Sequence, residues 1–207
     1  MPDYWERRSR LLRNAAVRQE TVTGDPEEQL QLAAVVTESI VDGPGLRFVL
    51  FTQGCPHRCP GCHNPQTHLS VGGTFYSVNQ ILYRYDENPA CRGVTFSGGE
   101  PFEQAAALAQ LAQAVHAGAG DVIVYTGYRL EQLRRRAGTD AGIHALLAAT
   151  DLLVDGPYVQ EKRCLGAPMV GSLNQRLIAL SPRGNLLLDD IPLTPEGEAV
   201  KRIHWTE

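Results

Sequence analysis

From Leu30 onward, strand-like and helix-like patterns of apolar residues follow one another along the chain. Short apolar runs predict buried strands, and longer runs with apolar residues at helical spacing predict helices. The run at 102–117 is the clearest helix, and Pro101 lies just before it, where a proline is tolerated. The predicted strands are 32–37, 46–51, 94–96, 121–125 and 152–155, and the predicted helices are 78–85, 102–117, 129–136 and 143–149.

This alternation predicts an α/β fold, because strands that alternate with helices form a parallel sheet with helical crossovers. Beyond residue 156 the helical pattern fades. Segments 177–180 and 186–188 are candidate strands, and the tail from Pro192 is predicted to be irregular. Residues 1–29 are predicted to be a basic N-terminal extension that either packs on the surface or docks a partner, and 30–207 the core domain.

Four polar motifs follow predicted strands. They are the loop that contains Cys55, Cys59 and Cys62, the turn 97–100 (Ser-Gly-Gly-Glu), and the pairs Thr126-Gly127 and Asp155-Gly156. Ligands of parallel α/β sheets bind at the carboxyl ends of the strands. We therefore expect these motifs to meet on one rim and to form a ligand site there.

Charge and composition exclude some classes of protein. The net charge of −4 argues against a nucleic-acid platform, which usually has a basic excess. No stretch approaches the roughly 20 apolar residues that span a bilayer, and the N-terminus lacks an apolar signal core. We expect a cytoplasmic protein. Because a reducing cytosol disfavours disulfides, its five cysteines point to metal binding or catalysis.

Cys55, Cys59 and Cys62 form a C-x3-C-x2-C motif in a loop that two prolines and a glycine keep from becoming helical. Three thiolates are one too few to close a four-coordinate site. A cubane iron–sulfur cluster held by three cysteines keeps one iron open for a small ligand. The motif therefore predicts an iron–sulfur cluster that presents one open iron to a substrate.

A zinc site is the alternative, with His63 or His57 completing the cysteine set. Adjacent ligands such as Cys62 and His63 are awkward around one tetrahedral metal, which favours the cluster. Cys91 and Cys164 lie far from the motif in sequence and are interpreted as packing or surface thiols.

Gly98, Gly99 and Glu100 lie between a predicted strand and a predicted helix. Glycines let backbone groups approach a ligand closely, and a glutamate adds an acceptor for a cationic group. Alone, these residues are explained as well by a tight turn. Beside a three-cysteine loop, they predict that an amino-acid-like ligand binds between the two motifs.

The cysteine motif and the Gly-Gly-Glu-Pro turn resemble those of the radical S-adenosylmethionine (SAM) superfamily. Segments 41–47 (Val-Asp-Gly-Pro-Gly-Leu-Arg), 51–55 and 62–67 are similar to glycyl-radical-enzyme activases. Segments 125–128, 153–158 and 171–176 resemble the branch that activates anaerobic (class III) ribonucleoside-triphosphate reductase. The resemblance covers residues 32–180, and the absence of a second cysteine cluster supports the reductase branch.

The resemblance implies a fold of radical SAM type: a partial, open TIM-like barrel of parallel strands with outer helices, whose open side would suit a large protein substrate. It implies a [4Fe–4S] cluster and SAM as cofactors, and flavodoxin or a similar protein as electron donor. Reductive cleavage of SAM would give a 5′-deoxyadenosyl radical, which removes a hydrogen atom from a backbone glycine of the partner reductase.

It also implies roles for particular residues. Cys55, Cys59 and Cys62 would hold the cluster, and Gly98, Gly99 and Glu100 would meet the amino group of SAM. The remaining candidates for cofactor binding are Gly61, His63 and Asn64, near the adenine, and Thr126 and Asp155, which would bind ribose or a cation.

Two other functions stay open. The same chemistry acting on another glycyl radical enzyme or on a small molecule is one, because the Arg-rich, Lys-poor composition suggests a GC-rich genome, and many such organisms are aerobes. A non-catalytic zinc or electron-carrier module is the other, and the metal content of anaerobically prepared protein would separate it from an enzyme.

Overall fold

The computed structural model describes residues 29–206, which contain eight β-strands and five α-helices. The predicted extension at 1–29 lies outside the described residues, except that Gln29 is the first residue of the first strand. No helix in the described range has the length and apolar content to cross a membrane. The strands are β1 (Gln29–Ser39), β2 (Arg47–Thr52), β3 (Thr74–Ser77), β4 (Gly93–Gly98), β5 (Asp121–Thr126), β6 (Leu152–Asp155), β7 (Arg176–Ala179) and β8 (Lys201–Ile203), and the helices are α1 (Val78–Asp86), α2 (Ala105–Ala117), α3 (Leu130–Ala137), α4 (Ala141–Ala148) and α5 (Pro182–Asp189).

All eight strands belong to one sheet, in the order β3-β1-β2-β4-β5-β6-β7-β8. β2, β4, β5 and β6 are parallel to one another, and β8 is parallel to β7. Helix α2 makes the crossover from β4 to β5, and α3 and α4 make the next one. β3 and β8 are the edge strands, so the sheet is open. The predicted α/β class with a mostly parallel sheet is confirmed.

Three pairs of neighbouring strands depart from the purely parallel arrangement. β1 is antiparallel to both β2 and β3, and β7 is antiparallel to β6. Only residues 40–46 separate β1 from β2, which is too short for a crossover between parallel strands. β3 has four residues and no prediction anticipated it, because so short a strand carries little periodicity.

The C-terminal part holds a helix where a strand was predicted. α5 begins after Ser181, whose hydroxyl accepts a hydrogen bond from Gly184 N at 3.1 Å, with Pro182 at the first helical position. The prediction of a strand at 186–188 is therefore wrong, because a short run of leucines does not distinguish strand from helix. The tail is not wholly irregular, since it forms a 3-10 turn at Glu196–Ala199 and then β8.

Apolar cores cover both faces of the sheet. On one face, Phe48 and Leu50 of β2 and Val122 and Val124 of β5 pack under helices α1 to α4. On the other face, Ile123 and residues of β6 and β7 pack against α5 and the C-terminal segment. Full burial of each large apolar side chain contributes roughly 1.5–3 kcal/mol. The central strands are buried on both sides, as their continuous apolar sequences predict.

A buried ion pair joins the amino ends of β2 and β5. The fully buried guanidinium of Arg47 pairs with the carboxylate of Asp121 and donates to Thr95 Oγ1 at 3.1 Å. Arg92 Nε donates to the same carboxylate at 2.9 Å and its Nη1 donates to Asp190 at 2.5 Å. This chain of charges runs from the interior to the surface at the amino ends of the strands. Because the cleft lies at the opposite end of the sheet, we assign the charges a structural role.

Candidate functional site

The four polar motifs meet at the carboxyl ends of the strands, as predicted. The cysteine loop follows β2, Gly98 ends β4, Thr126 ends β5 and Asp155 ends β6. Between these motifs lies an open cleft with a volume of about 370 Å³, within the range of small-molecule sites. Its lining includes Cys55, His57, Cys59, Cys62, His63, Asn64, Gly98, Gly99, Thr126 and Gly127.

The cysteine loop is irregular and is held at its base by the buried side chain of Gln53. The Gln53 amide donates to the carbonyl oxygens of Gln66, Leu69 and Val71, at 3.2, 2.6 and 3.2 Å. Gly54 N also donates to Thr67 O at 2.9 Å. These bonds tie the start of the loop to the segment that returns from it, so its shape does not depend on a bound ligand alone.

The three thiols of the loop are half-buried at the cleft. Burial is the largest influence on Cys55 and Cys59 and raises the pKa of both thiols, although backbone N–H groups act against it. The N–H of Tyr158 is directed at Cys59, and Asn64 N donates to Cys62 Sγ at 3.4 Å. A metal must therefore displace protons from the Cys55 and Cys59 thiols in order to bind.

The donor set fits an iron–sulfur cluster. It consists of three cysteine sulfurs around one cleft, with backbone N–H groups directed at them, and hydrogen bonds to sulfur are among the features by which proteins tune such clusters. In residues 29–206 no three Cys, His, Asp or Glu side chains converge closely enough to enclose a single metal ion. His57, a candidate zinc ligand in the alternative interpretation, is engaged by Glu100 at 2.9 Å.

The turn Gly98-Gly99 packs directly on the start of the cysteine loop. Gly99 N donates to Thr52 O, and Glu100 N donates to Gly54 O, each at 2.8 Å. Gly98 has φ +92°, and a Cβ on Gly99 would lie 2.3 Å from Gly54 O. Only glycine fits this close approach of two backbones, so the turn and the loop form one wall of the cleft.

We expect Gly99→Ala to weaken both folding and ligand binding. Its methyl group would meet a backbone oxygen that cannot rotate away, and such overpacking costs about 1–3 kcal/mol. Equilibrium unfolding and SAM binding by equilibrium dialysis would measure the two effects. Gly138→Ala is the control, because its nearest neighbour would be Arg135 O at 3.3 Å and the residue has ordinary helical angles. Equal SAM affinity in Gly99→Ala and the parent would contradict the role of this turn.

The carboxylate of Glu100 is fully buried and accepts four hydrogen bonds. Oε1 accepts from Phe102 N at 3.1 Å and Thr126 Oγ1 at 2.8 Å, and Oε2 accepts from His57 Nε2 and Gly127 N, each at 2.9 Å. All its acceptor sites face protein donors. Among these three residues, Gly98 and Gly99 line the cleft, and the contact between the Glu100 side chain and the amino group of SAM stays a prediction.

Asp155 is also fully buried behind the rim. Its carboxylate accepts from Leu130 N at 2.7 Å, at the start of α3, and from Arg176 Nε at 2.8 Å. Arg129 Nη1 lies 3.5 Å from it. The carboxylate thus fastens α3 and β7 to the end of β6. The expected contact of Asp155 with ribose or a cation stays a prediction.

The other predicted site residues have different surroundings. Thr126 is at the cleft, although its hydroxyl already donates to Glu100 and accepts from Tyr128 N. His63 packs its ring on Tyr158, with the ring centroids 5.1 Å apart. Asn64 lies beside Cys62, as described above. Gly61 has φ +69° and contacts the side chain of Gln160. The ligand roles of these residues stay predictions.

The two cysteines outside the motif lie in different places, and three residues that line the cleft were not among the predicted site residues. Cys91 is buried in the core, as predicted, and its Sγ donates to Thr37 O at 3.3 Å. Cys164, by contrast, lines the cleft, together with Met169. Gln175 also lines it and fastens segment 171–172 to Gly156 O. Gln175 lies in segment 171–176, which carries part of the family resemblance. No local signal marks Cys164 or Met169, because the long connection from β6 to β7 brings them to the rim.

The chain is similar to a family of iron–sulfur proteins and to reductase-activating proteins within the matched region. Residues 41–178 match the family described as "4Fe-4S single cluster domain". The chain is 37% identical over 144 residues to the anaerobic ribonucleoside-triphosphate reductase-activating protein of Vibrio cholerae, which covers 66% of this chain and 89% of that protein. The protein of the same name from Salmonella typhi is 35% identical over 144 residues, covering 66% and 90%.

A shorter match links the chain to a second kind of activase. It is 45% identical over 76 residues to the pyruvate formate-lyase-activating enzyme of Listeria monocytogenes, covering 34% of this chain and 31% of that protein. The family match spans more than half of the chain, and the reductase-activating relatives are matched over most of their length. The chain therefore belongs to the 4Fe-4S single cluster domain family and to the family of anaerobic ribonucleoside-triphosphate reductase-activating proteins.

Proposed function

We propose that this protein is a radical SAM activase that generates a glycyl radical on an anaerobic ribonucleoside-triphosphate reductase. One observation carries the proposal: three half-buried thiols and a glycine-only turn line the same cleft in a chain of the reductase-activating family. A soft-metal site and a place for a small zwitterionic ligand are thus adjacent, as reductive cleavage of SAM requires.

In this proposal Cys55, Cys59 and Cys62 would hold a [4Fe–4S] cluster, which when bound would supply the electron for reductive cleavage of SAM. The backbone of Gly98 and Gly99 positions the amino end of SAM, and Gly61, His63, Asn64 and Thr126 lie around the rest of the cofactor. Holding the reactants together makes the step nearly intramolecular, which is the main contribution of the protein to cofactor chemistry.

The mouth of the cleft suits a segment of protein as substrate. Val41 and Leu165 line the cleft and are 79% and 78% exposed, and Ile40 beside them is 81% exposed. Exposed apolar side chains at the rim of a site mark surfaces that bind another macromolecule or ligand. We infer that a glycine-bearing loop of the reductase covers these residues as it enters.

The proposal includes the finer architecture and setting. We propose that the open sheet is a partial barrel of radical SAM type. Residues 30–207 would form this core domain, and residues 1–29 would be an extension that precedes it. Flavodoxin or a similar protein is the proposed electron donor. Neither nucleic acid nor a membrane is a proposed partner. The cytoplasm is the proposed location, because thiols that serve to bind a metal suit a reducing compartment.

The test is release of 5′-deoxyadenosine from SAM by anaerobically reconstituted, dithionite-reduced protein, followed by electron paramagnetic resonance (EPR) of an added reductase. A glycyl radical signal on the reductase is the expected result. The short match to a pyruvate formate-lyase-activating enzyme favours one second candidate, a different glycyl radical enzyme as target. Radical formation on pyruvate formate-lyase, and none on the reductase, would establish that alternative. Zinc without iron or sulfide would overturn both.

A further inference from the structure

Glu100 and His57 link three separate parts of the rim. Glu100 belongs to the turn after β4, His57 lies between two of the loop cysteines, and Thr126 and Gly127 end β5. We propose that His57 and Glu100 are a positioning pair that fixes the cysteine loop relative to the Gly98-Gly99 turn. This inference rests on the proposed function, because it concerns how the cluster is held relative to SAM.

The carboxylate is suited to this task because it can only accept hydrogen bonds. Its two oxygens take two donors each, from His57 and Gly127 on one side and from Phe102 and Thr126 on the other. Because an ionised carboxylate has no hydrogen to donate, a hydrogen bond between the two side chains requires the tautomer that carries its hydrogen on His57 Nε2. A fully buried carboxylate with four donors is costly to disturb, because a lost donor leaves a buried acceptor unsatisfied.

Packing confines the His57 ring from two further directions. Its centroid lies 4.4 Å from that of Tyr128 in an edge-to-face contact. A Cβ on Gly127 would lie 2.3 Å from His57 Cδ2. A larger residue at position 127 would therefore collide with the His57 ring. Burial, together with the hydrogen bond to Glu103, raises the pKa of Tyr128 to about 12, so its phenol stays protonated and donates to Glu103 at 2.8 Å.

The position of His57 explains why the pair matters for the cluster. It is two residues from Cys55 and two from Cys59, so a displacement of His57 moves the backbone that carries both thiols. Glu100 also fixes the turn through its own N–H, which donates to Gly54 O. A misplacement of about 1 Å can reduce a rate by about 100-fold. The pair thus sets the distance between the loop that carries the thiols and the turn proposed for the amino end of SAM.

The chain contains a matched control. His116 and Asp151 form a second pair with the same 2.9 Å separation, and Asp151 also accepts from Val122 N and Ser181 Oγ. This pair lies at the end of α2, away from the cleft. His116→Gln therefore disturbs a similar buried carboxylate without touching the rim, and it measures the purely structural cost.

The test compares His57→Ala, His57→Gln, Glu100→Gln and His116→Gln as full-length, anaerobically reconstituted proteins. We expect His57→Ala and Glu100→Gln each to raise the KM for SAM and to lower kcat for 5′-deoxyadenosine release. The two changes should lower kcat/KM by about 100-fold in each variant. Their reduced-cluster EPR spectrum should also respond less to SAM. In Glu100→Gln the amide NH2 must face either Phe102 N–H or Gly127 N–H, whichever way it is turned. His57→Gln keeps a donor and should recover part of the loss.

The apo-protein gives a readout that needs neither cluster nor activity. We expect Cys55 and Cys59 to be alkylated several-fold faster in His57→Ala than in the parent, and at the parental rate in His116→Gln. Parental alkylation rates and a parental EPR response to SAM in His57→Ala would overturn the inference. Equal changes in His116→Gln would also overturn it, because they would show a general loss of stability. If the parent itself releases no 5′-deoxyadenosine, the proposed function fails, while the alkylation rates still decide whether the pair holds the loop.

Discussion

Replacing any one of Cys55, Cys59 or Cys62 by Ala is expected to abolish SAM cleavage and to lower the iron content. A [4Fe–4S] cluster that leaves one iron open for substrate has three protein ligands, and none of them can be spared. Iron and sulfide analysis, the EPR spectrum of the reduced protein and 5′-deoxyadenosine release measure the effect.

The control for this experiment is Cys91→Ala, which removes a thiol from the apolar core on the helical face of the sheet. It should keep parental iron content. Cys164 needs its own variant because it lines the same cleft. Full activity in Cys59→Ala would contradict the assignment of Cys59 as a ligand. Loss of that activity when Cys164→Ala is added would then identify Cys164 as the ligand in its place.

Replacing Asp121 by Ala is expected to destabilise the protein by about 3–5 kcal/mol, the cost of leaving one member of a buried ion pair without its partner. Arg47 is fully buried and Asp121 is its counterion, so its charge would lie uncompensated between β2 and β5. Denaturant unfolding of the apo-protein would measure the free energy of unfolding without interference from a cluster.

Asp190→Ala tests the other end of the same chain of charges. Its side chain is 52% exposed and pairs with Arg92 at the surface, where an ion pair is worth about 0–1 kcal/mol. Replacing Arg47 by Met in the Asp121→Ala background should restore part of the stability, because the unpaired charge is then gone. A loss of less than 1 kcal/mol in Asp121→Ala would contradict a buried, dehydrated pair.

Much of the fold and the chemical class of the site could be predicted from local sequence. The Cys-x3-Cys-x2-Cys spacing and the double glycine are contiguous motifs, and each predicted strand from 46–51 to 152–155 is present at nearly the predicted bounds. Strands of a parallel sheet place their carboxyl ends at one edge, so the order of elements was enough to predict a common rim. Short segments were the failures: Thr74–Ser77 was not predicted, and 186–188 is part of a helix.

The partners of side chains could not be predicted in this way. The positions of Glu100 and Asp155 at strand ends did not indicate that both carboxylates are buried and bonded to protein donors. Their partners, such as His57 and Arg176, come from segments 43 and 21 residues away. Cys164 reaches the cleft only through the path of the connection from β6 to β7.

By itself, the sequence determined the α/β class, the central parallel strands, the three-cysteine motif and the family resemblance, because these depend on periodicity and on residues adjacent along the chain. The tertiary structure decided which donors surround the strand-end carboxylates, which thiol besides the three lines the cleft, and how the edge strands pair. Those properties depend on which donors and which packing surfaces meet in space. Glu100 shows the reason, because its four donors come from the cysteine loop, the turn at Phe102 and the end of β5, which only the fold brings together.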